Sequence, residues 1–226
     1  LDRRADPASL EHVAGQWQPV IRPLGRVPYT ATLDAMRAYT AQRDAWSPDE
    51  LWLLEHPSVY TLGQAGRPEH LLEDHGIELI RTERGGQITY HGPGQLVMYT
   101  LIDLKRIRAS IRGFVTHLEA AALETLATYN VSGERRTGAP GVYVRRDGTS
   151  EKIAALGLKV SQGRCYHGIS LNVAMDLRPF EWIDPCGYPG LRCTDLKSLG
   201  VQASTDEVGQ RLACALIEQM SASEKS

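Results

Sequence analysis

Apolar positions along this chain recur with two periods, which sort it into helices and strands before any chemistry is considered. Residues 32–46 (TLDAMRAYTAQRDAW) place Leu33, Met36 and Tyr39 at helical spacing, predicting an amphipathic helix stopped by Ser47-Pro48. Residues 51–63 (LWLLEHPSVYTLG) read as two short strands around a His56-Pro57 turn. Residues 77–83 (IELIRTE) form a strand entering a glycine-rich stretch, and residues 95–104 form the strand leaving it. Both faces of that second strand are apolar, with Leu96, Met98 and Ile102 on one and Val97, Tyr99 and Leu101 on the other. It should therefore lie centrally in a sheet. Residues 112–129 carry Phe114, Val115, Leu118, Ala122 and Leu126 on one helical face. Downstream, Asp147-Gly148 marks a hairpin tip between residues 142–146 and 152–161, and residues 166–173 pair with the latter. Residues 179–191 read as irregular, and residues 204–220 as a helix opened by a capping box of Ser204 with Glu207.

Hairpins dominate this order of elements, which predicts an α+β fold, a mixed and largely antiparallel sheet with packed helices. No repeat, low-complexity tract or linker breaks it. Residues 16–226 are expected to form one domain and residues 1–15 a flexible N-terminus.

Composition changes the picture only by exclusion. At 42% hydrophobic and 23% charged residues the chain is an ordinary soluble globule. It has no apolar run of about 18 residues for a membrane span and no secretory leader pattern at its start, so a cytoplasmic location is expected. A net charge of −2 argues against nucleic-acid binding. The charge is uneven: residues 81–167 hold 13 basic and seven acidic side chains, against 12 and 20 elsewhere. Lys105, Arg106, Arg108 and Arg112 form the densest part, which reads either as a solvated face or as a dock for an acidic partner.

Residues 84–96 (RGGQITYHGPGQL) are the most informative stretch. Gly85 and Gly86 permit positive φ and leave room for a ligand at the backbone amides, while Gly92-Pro93-Gly94 signals a turn. A tight turn without a ligand is the rival reading. Arg84, Gln87, Tyr90, His91 and Gln95 in the same stretch favour a site. Of four cysteines (Cys165, Cys186, Cys193 and Cys214), Cys186 sits in DPCGYPG, where Pro185 and Gly187 suit a thiol displayed on a turn. Cys165 and Cys214 suit burial as small hydrophobes, and Cys193 is the second candidate nucleophile. The spacing of Cys165, His167, Cys186 and Cys193 fits no zinc pattern, so no metal and no cofactor are expected. A thiol of pKa near ~8.5 needs a neighbouring cation or base at neutral pH, and Lys152 and His91 are the candidates.

Four blocks in order, residues 84–96, 136–144 (RTGAPGVYV), 152–177 (KIAALGLKVSQGRCYHGISLNVAMDL) and 185–190 (PCGYPG), give the chain a resemblance to the lipoate-protein octanoyltransferases. With their spacers they span roughly residues 20 to 215. The resemblance implies the fold of biotin/lipoate protein ligase catalytic domains. It implies octanoyl transfer from octanoyl-acyl carrier protein to a lysine on lipoyl domains, those of 2-oxoacid dehydrogenase E2 subunits and the glycine cleavage H protein. Carried over residue by residue, the acyl-thioester cysteine falls on Cys186 and its partner lysine on Lys152. Substrate-binding segments fall on Arg84, Gly85, Gly86, Gln87, Ile88, Thr89, Tyr90 and His91, on Ala155, Leu156 and Gly157, and on Gly168, Ile169 and Ser170. The last segment departs from the more usual Gly-Leu-Ala and puts a hydroxyl where an acyl chain would meet a methyl. A monomer is expected. The rivals are an ATP-dependent lipoate ligase, a cysteine hydrolase using His91 or His167, and a non-catalytic carrier or lipoyl-domain binder.

Overall fold

The computed structural model describes residues 17–184 and 191–223. A seven-stranded sheet runs in the order β1-β2-β6-β10-β9-β8-β7, and a three-stranded sheet in the order β4-β3-β5. The first comprises β1 (Val20–Arg26), β2 (Glu50–Glu55), β6 (Gln95–Asp103), β7 (Gly133–Glu134), β8 (Val142–Arg146), β9 (Thr149–Ser161) and β10 (Arg164–Asn172). The second comprises β3 (Val59–Leu62), β4 (Leu79–Arg81) and β5 (Ile88–His91). The His56-Pro57 turn thus does more than join two strands: β2 and β3 belong to different sheets.

Helices α2 (Ile111–Ala127) and α3 (Thr205–Ser223) cover one face of the large sheet, and α1 (Tyr29–Gln42) packs on the other. Strand β6 is buried from Gln95 through Ile102 and divides its side chains as its two apolar faces predict. Leu96, Met98 and Ile102 meet Phe114, Leu118 and Leu212, while Val97, Tyr99 and Leu101 meet Tyr29, Leu33 and Met36. Each such side chain contributes about 1.5–3 kcal/mol of burial, so the two-sided strand anchors the fold.

Three boundaries differ from expectation for identifiable reasons. Strand β1, which pairs parallel with β2 through the α1 crossover, has no hydropathy signal because it is an exposed edge strand. Pro23 and a register shift between Pro23 and Gly25 guard its open side. Helix α1 ends at Gln42, before Ser47-Pro48, because Arg43 turns extended and buries its guanidinium against Asp49 and the Leu101 carbonyl. At α3 only half of the capping box forms: Glu207 N–H donates to Ser204 Oγ (3.1 Å), while the Glu207 carboxylate accepts from Tyr129 and Arg211. The hairpin tip is as expected, with positive φ at both Asp147 (48°) and Gly148 (77°). Among the described residues no helix is long and apolar enough to cross a membrane.

Candidate active site

The glycine-rich stretch is only half loop. Residues 84–87 form the loop, and residues 88–91 are strand β5, paired with β3 from Leu62–Ile88 to Val59–His91. The loop lies on β9, where Gly85 N–H donates to the Leu158 carbonyl at 2.9 Å. Contact is close enough that a Cβ on Gly157 would sit 2.7 Å from the Gly85 carbonyl oxygen. Arg84 is buried and holds the loop's shape from inside. Its guanidinium donates to the carbonyls of Thr61 (2.7 Å), Gln87 (2.8 Å) and Gly85 (2.9 Å), and to Thr61 Oγ1.

Beneath this loop is a pocket with about 570 Å³ of empty space, part of it open to solvent. It brings together Arg84, Gly86, Gln87, Ile88, Thr89 and His91 from the loop and β5, Lys152, Ala155, Leu156 and Gly157 from β9, and Gly168, Ile169 and Ser170 from β10. Two residues expected there are not among its walls. Gly85 offers its backbone to β9, and Tyr90 points to the small sheet's core beside Tyr60 and Phe180, its hydroxyl 2.9 Å from Ser58 Oγ. Tyr29, Val97, Tyr99, Pro140 and His167 also line the pocket; of these the sequence reading raised only His167, as the base of the rival hydrolase. One signal was available: the tripeptide Tyr-His-Gly occurs at residues 90–92 and again at 166–168, and both histidines reach the pocket.

Lys152 reaches the pocket through a β-bulge. Lys152 and Ala155 are three residues apart, and a regular strand would send them to opposite faces. The β8–β9 ladder, however, pairs Val142 with Ala154 but Tyr143 with Lys152, so Ile153 is an inserted residue. The bulge returns Lys152 to the face of Ala155 and Gly157, a re-aiming typical of bulges beside sites. The side chain is 4% exposed, its Nζ 5.1 Å from the centre of the Tyr143 ring and 3.4 Å from the Pro140 carbonyl oxygen. Arg136 stacks on the same ring at 5.2 Å. Lys152 N–H donates to the Arg192 carbonyl (2.8 Å), and Thr194 N–H donates to the Lys152 carbonyl (2.9 Å). The chain following residues 185–190 is therefore fastened to the backbone of Lys152. Upstream, Asp184 N–H donates to the His70 carbonyl at 2.8 Å. Cys186 lies outside the described residues, as do residues 1–16. Cys165 is in the core, where burial pushes its thiol up to about 12, a poor nucleophile. Cys193 is half-buried beside the small sheet's core and bridges to Lys152 by backbone.

The pocket's histidines are neutral. Burial pushes His91 down to about 3, with the neighbouring His56 adding to the shift, and burial likewise lowers His167 to about 3 and His56 to about 4. His91 Nδ1 is 2.7 Å from Gln95 Oε1, and the Gln95 amide donates to the Tyr90 carbonyl and Asn172 Oδ1. That network makes Nδ1 the donor and leaves Nε2 as an unprotonated acceptor on the pocket wall. His56 is fixed by the Val27 carbonyl and the Tyr99 hydroxyl, each at 2.7 Å.

The dense cationic cluster lies at the far end of β9 from Lys152. Leu104 N–H bonds the Gly163 carbonyl at the β9–β10 hairpin tip. Ser161, at that end of β9, is about 30 Å along the extended strand from Lys152. A partner docked there would sit far from the lysine.

Residues 28–217 match the family model of the lipoyl protein ligase A/B catalytic domain. An octanoyltransferase of Dechloromonas aromatica (strain RCB) is 52% identical over 202 residues, covering 89% of this chain and 97% of that one. One of Aromatoleum aromaticum is 56% identical over 210 residues, covering 93% and 89%. Among solved structures, the bipartite lipoate protein ligase of Thermoplasma acidophilum aligns with a TM-score of 0.70 at 16% identity, over 89% of this chain and 83% of that one. The biotin protein ligase of Aquifex aeolicus aligns with a TM-score of 0.55 at 12% identity, over 93% and 72%. These last two likenesses show a shared fold.

Proposed function

Because the chain belongs to the lipoyl protein ligase A/B catalytic domain family, and within it to the octanoyltransferases, we propose that it carries octanoyl from octanoyl-acyl carrier protein, through a thioester on Cys186, to a lipoyl-domain lysine. The observation that carries this reading is Lys152: a bulge turns it into the pocket, and its backbone is hydrogen-bonded to the segment that follows Cys186. In the first half-reaction the Cys186 thiolate attacks the carrier thioester carbon, and the carrier's sulfur leaves with a proton from the Lys152 ammonium. A C–S bond forms as another breaks. In the second, neutral Lys152 accepts a proton as the acceptor lysine's amine attacks the acyl-Cys186 carbon. The amide forms, and the thiolate returns beside an ammonium.

The apolar part of the pocket, Val97, Ala155 and the rings of Tyr29 and Tyr99, suits the octanoyl chain. His91 is assigned a positioning role, because the Gln95 network fixes its ring. A cytosolic setting, where thiols stay reduced, fits a nucleophilic cysteine.

Incubation with octanoyl-carrier protein and no ATP, followed by intact mass spectrometry, tests the proposal. One octanoyl group mapped to Cys186, and passed to a lipoyl domain on its addition, is expected. An adduct on Cys193 would move the active site, a strict need for ATP would make the enzyme a ligase, and loss of the acyl group to water in preference to lysine would make it a hydrolase.

A further inference from the structure

The geometry points to His167 as the residue that sets the length and tail polarity of the acyl chain. This rests on the acyl-pocket reading above and deepens it. Three independent features meet at this side chain. Its backbone is left-handed (φ 63°) inside β10, a conformation that strains a non-glycine residue and persists where the surroundings impose it. Its Nε2 is buried with no hydrogen-bond partner among the described residues, although it belongs to a pocket-lining side chain only 2% exposed. Its ring is clamped, stacked on Tyr166 at 5.0 Å and edge-on to Tyr99 at 6.1 Å. Burial also keeps the imidazole neutral, so no counter-ion is required.

The strand register supplies the ruler. On β9 and β10 the pairs Ala155–Ser170, Leu156–Ile169, Gly157–Gly168 and Leu158–His167 follow in order away from Lys152. The three steps from Ala155 to Leu158 cover about 10 Å. An octanoyl chain, seven C–C bonds from carbonyl carbon to methyl, spans about 9 Å. A chain whose carbonyl lies level with Ala155, the next residue of β9 on the face of Lys152, therefore ends at the His167 imidazole. Pressing more methylenes onto a buried, unpaired nitrogen strips it of any partner, which is unfavourable. A terminal hydroxyl at carbon 8 would give that nitrogen a partner. His167 should thus reject longer hydrocarbon tails and tolerate a polar group at the eighth carbon.

The test compares carrier thioesters of octanoate, 8-hydroxyoctanoate and dodecanoate, reading the rate of enzyme acylation by mass spectrometry. His167→Gly removes the imidazole and relieves the left-handed φ, so the variant should fold. His167→Asn, which also tolerates positive φ, is the second probe. The wild type should favour octanoate over dodecanoate. In both variants the dodecanoate-to-octanoate rate ratio should rise by about tenfold or more, the scale on which pockets discriminate methylenes. The 8-hydroxyoctanoate-to-octanoate ratio should fall in His167→Gly. A purely structural role would slow all three donors equally, and unchanged ratios in a folded variant would overturn the inference. If the wild type forms no adduct with any donor, the acyl-pocket reading itself falls, and this inference with it.

Discussion

Adding one methyl group at either of two paired glycines should separate folding from catalysis. Gly157 and Gly168 face each other across the β9–β10 ladder, but their missing side chains make room for different things. A Cβ on Gly168 would lie 2.0 Å from the Met98 carbonyl oxygen and 3.1 Å from Tyr99 Cα, both backbone atoms of β6. Contacts under 3.0 Å force a shift, so β6 and β10 would have to part by about an ångström at the centre of the sheet. Overpacking of this kind costs about 1–3 kcal/mol, and each broken ladder bond adds about 1 kcal/mol. Gly168→Ala should therefore lose about 3 kcal/mol or more, a large part of a typical domain's stability of about 5–15 kcal/mol.

At Gly157 the obstacle is the Gly85 carbonyl oxygen, 2.7 Å away. That atom belongs to a loop, fastened to β9 by the Gly85–Leu158 bond and braced by Arg84. Because the obstacle is a backbone atom the loop must shift and lose that bond, at a cost of about 1–2 kcal/mol, less than the parting of two central strands. The same shift moves the pocket wall against the acyl chain, where misplacement by about 1 Å can cost about 100-fold in rate. Gly157→Ala should keep most of its urea stability while its octanoyl-adduct rate falls by about 10- to 100-fold. Equal stability losses in the two variants, or a wild-type adduct rate in Gly157→Ala, would refute this account of how the loop is seated.

Stability should fall in mild acid. His56, His91 and His167 are held at about 4, 3 and 3 in the folded chain, against about 6.5 unfolded. Between those values the unfolded chain binds protons that the native state refuses. Their contribution is therefore fully present above pH ~6.5 and is lost as pH falls toward 4, by at most about 1.4 kcal/mol per pH unit for each histidine. Urea midpoints that did not drop between pH 7.5 and 5 would show that the rings are not buried and neutral. Arg84→Lys should cost about 2–3 kcal/mol and slow acylation, because an ammonium cannot span the two loop carbonyls of Gly85 and Gln87 together with the carbonyl and hydroxyl of Thr61; thermal unfolding without loss would contradict this. Tyr143→Leu should slow acylation roughly 3- to 30-fold by removing a cation–π contact with Lys152, worth about 0.5–2 kcal/mol, whereas Tyr143→Phe should restore it. A Phe variant as slow as the Leu variant would shift the role to the hydroxyl.

Periodicity disclosed the parts of the fold that bury apolar side chains with a regular repeat. The two-faced strand β6, helix α2 and the Asp147-Gly148 hairpin follow from it because burial, helical phase and positive φ each leave a mark on residue type. Strand β1 left none, since an exposed edge strand with a proline has no face to bury. The end of α1 was misplaced because its stop is a buried ion pair between Arg43 and Asp49, a tertiary contact that no local pattern reports. At the pocket, the resemblance named the glycine-rich loop and the paired glycines Gly157 and Gly168, but Tyr29 and Tyr99 reach it only because α1 and β6 fold beneath it. Tyr90 faces away from the pocket for a plain reason: in a strand, neighbours alternate, and His91 takes the pocket side.

The least legible element is the one on which the proposed chemistry depends. Read as an ideal strand, residues 152–157 place Lys152 on the opposite face from Ala155 and Gly157, the face that packs under α2 with Ala154 and Leu156. One inserted residue, Ile153, reverses that assignment, and Ile153 itself is fully buried against the α2 side of the sheet. The bulge is thus held by core packing on one face while it delivers a charged group to the other. On the other edge of β9 the ladder to β10 ends at Ala154, so the backbone of Lys152 is open there to pair with Arg192 and Thr194. The bulge accordingly fixes the direction of the lysine, and the open edge beyond the end of β10 fastens to it the segment that follows Cys186, so the two ladders of β9 set both where Lys152 points and what is anchored to it.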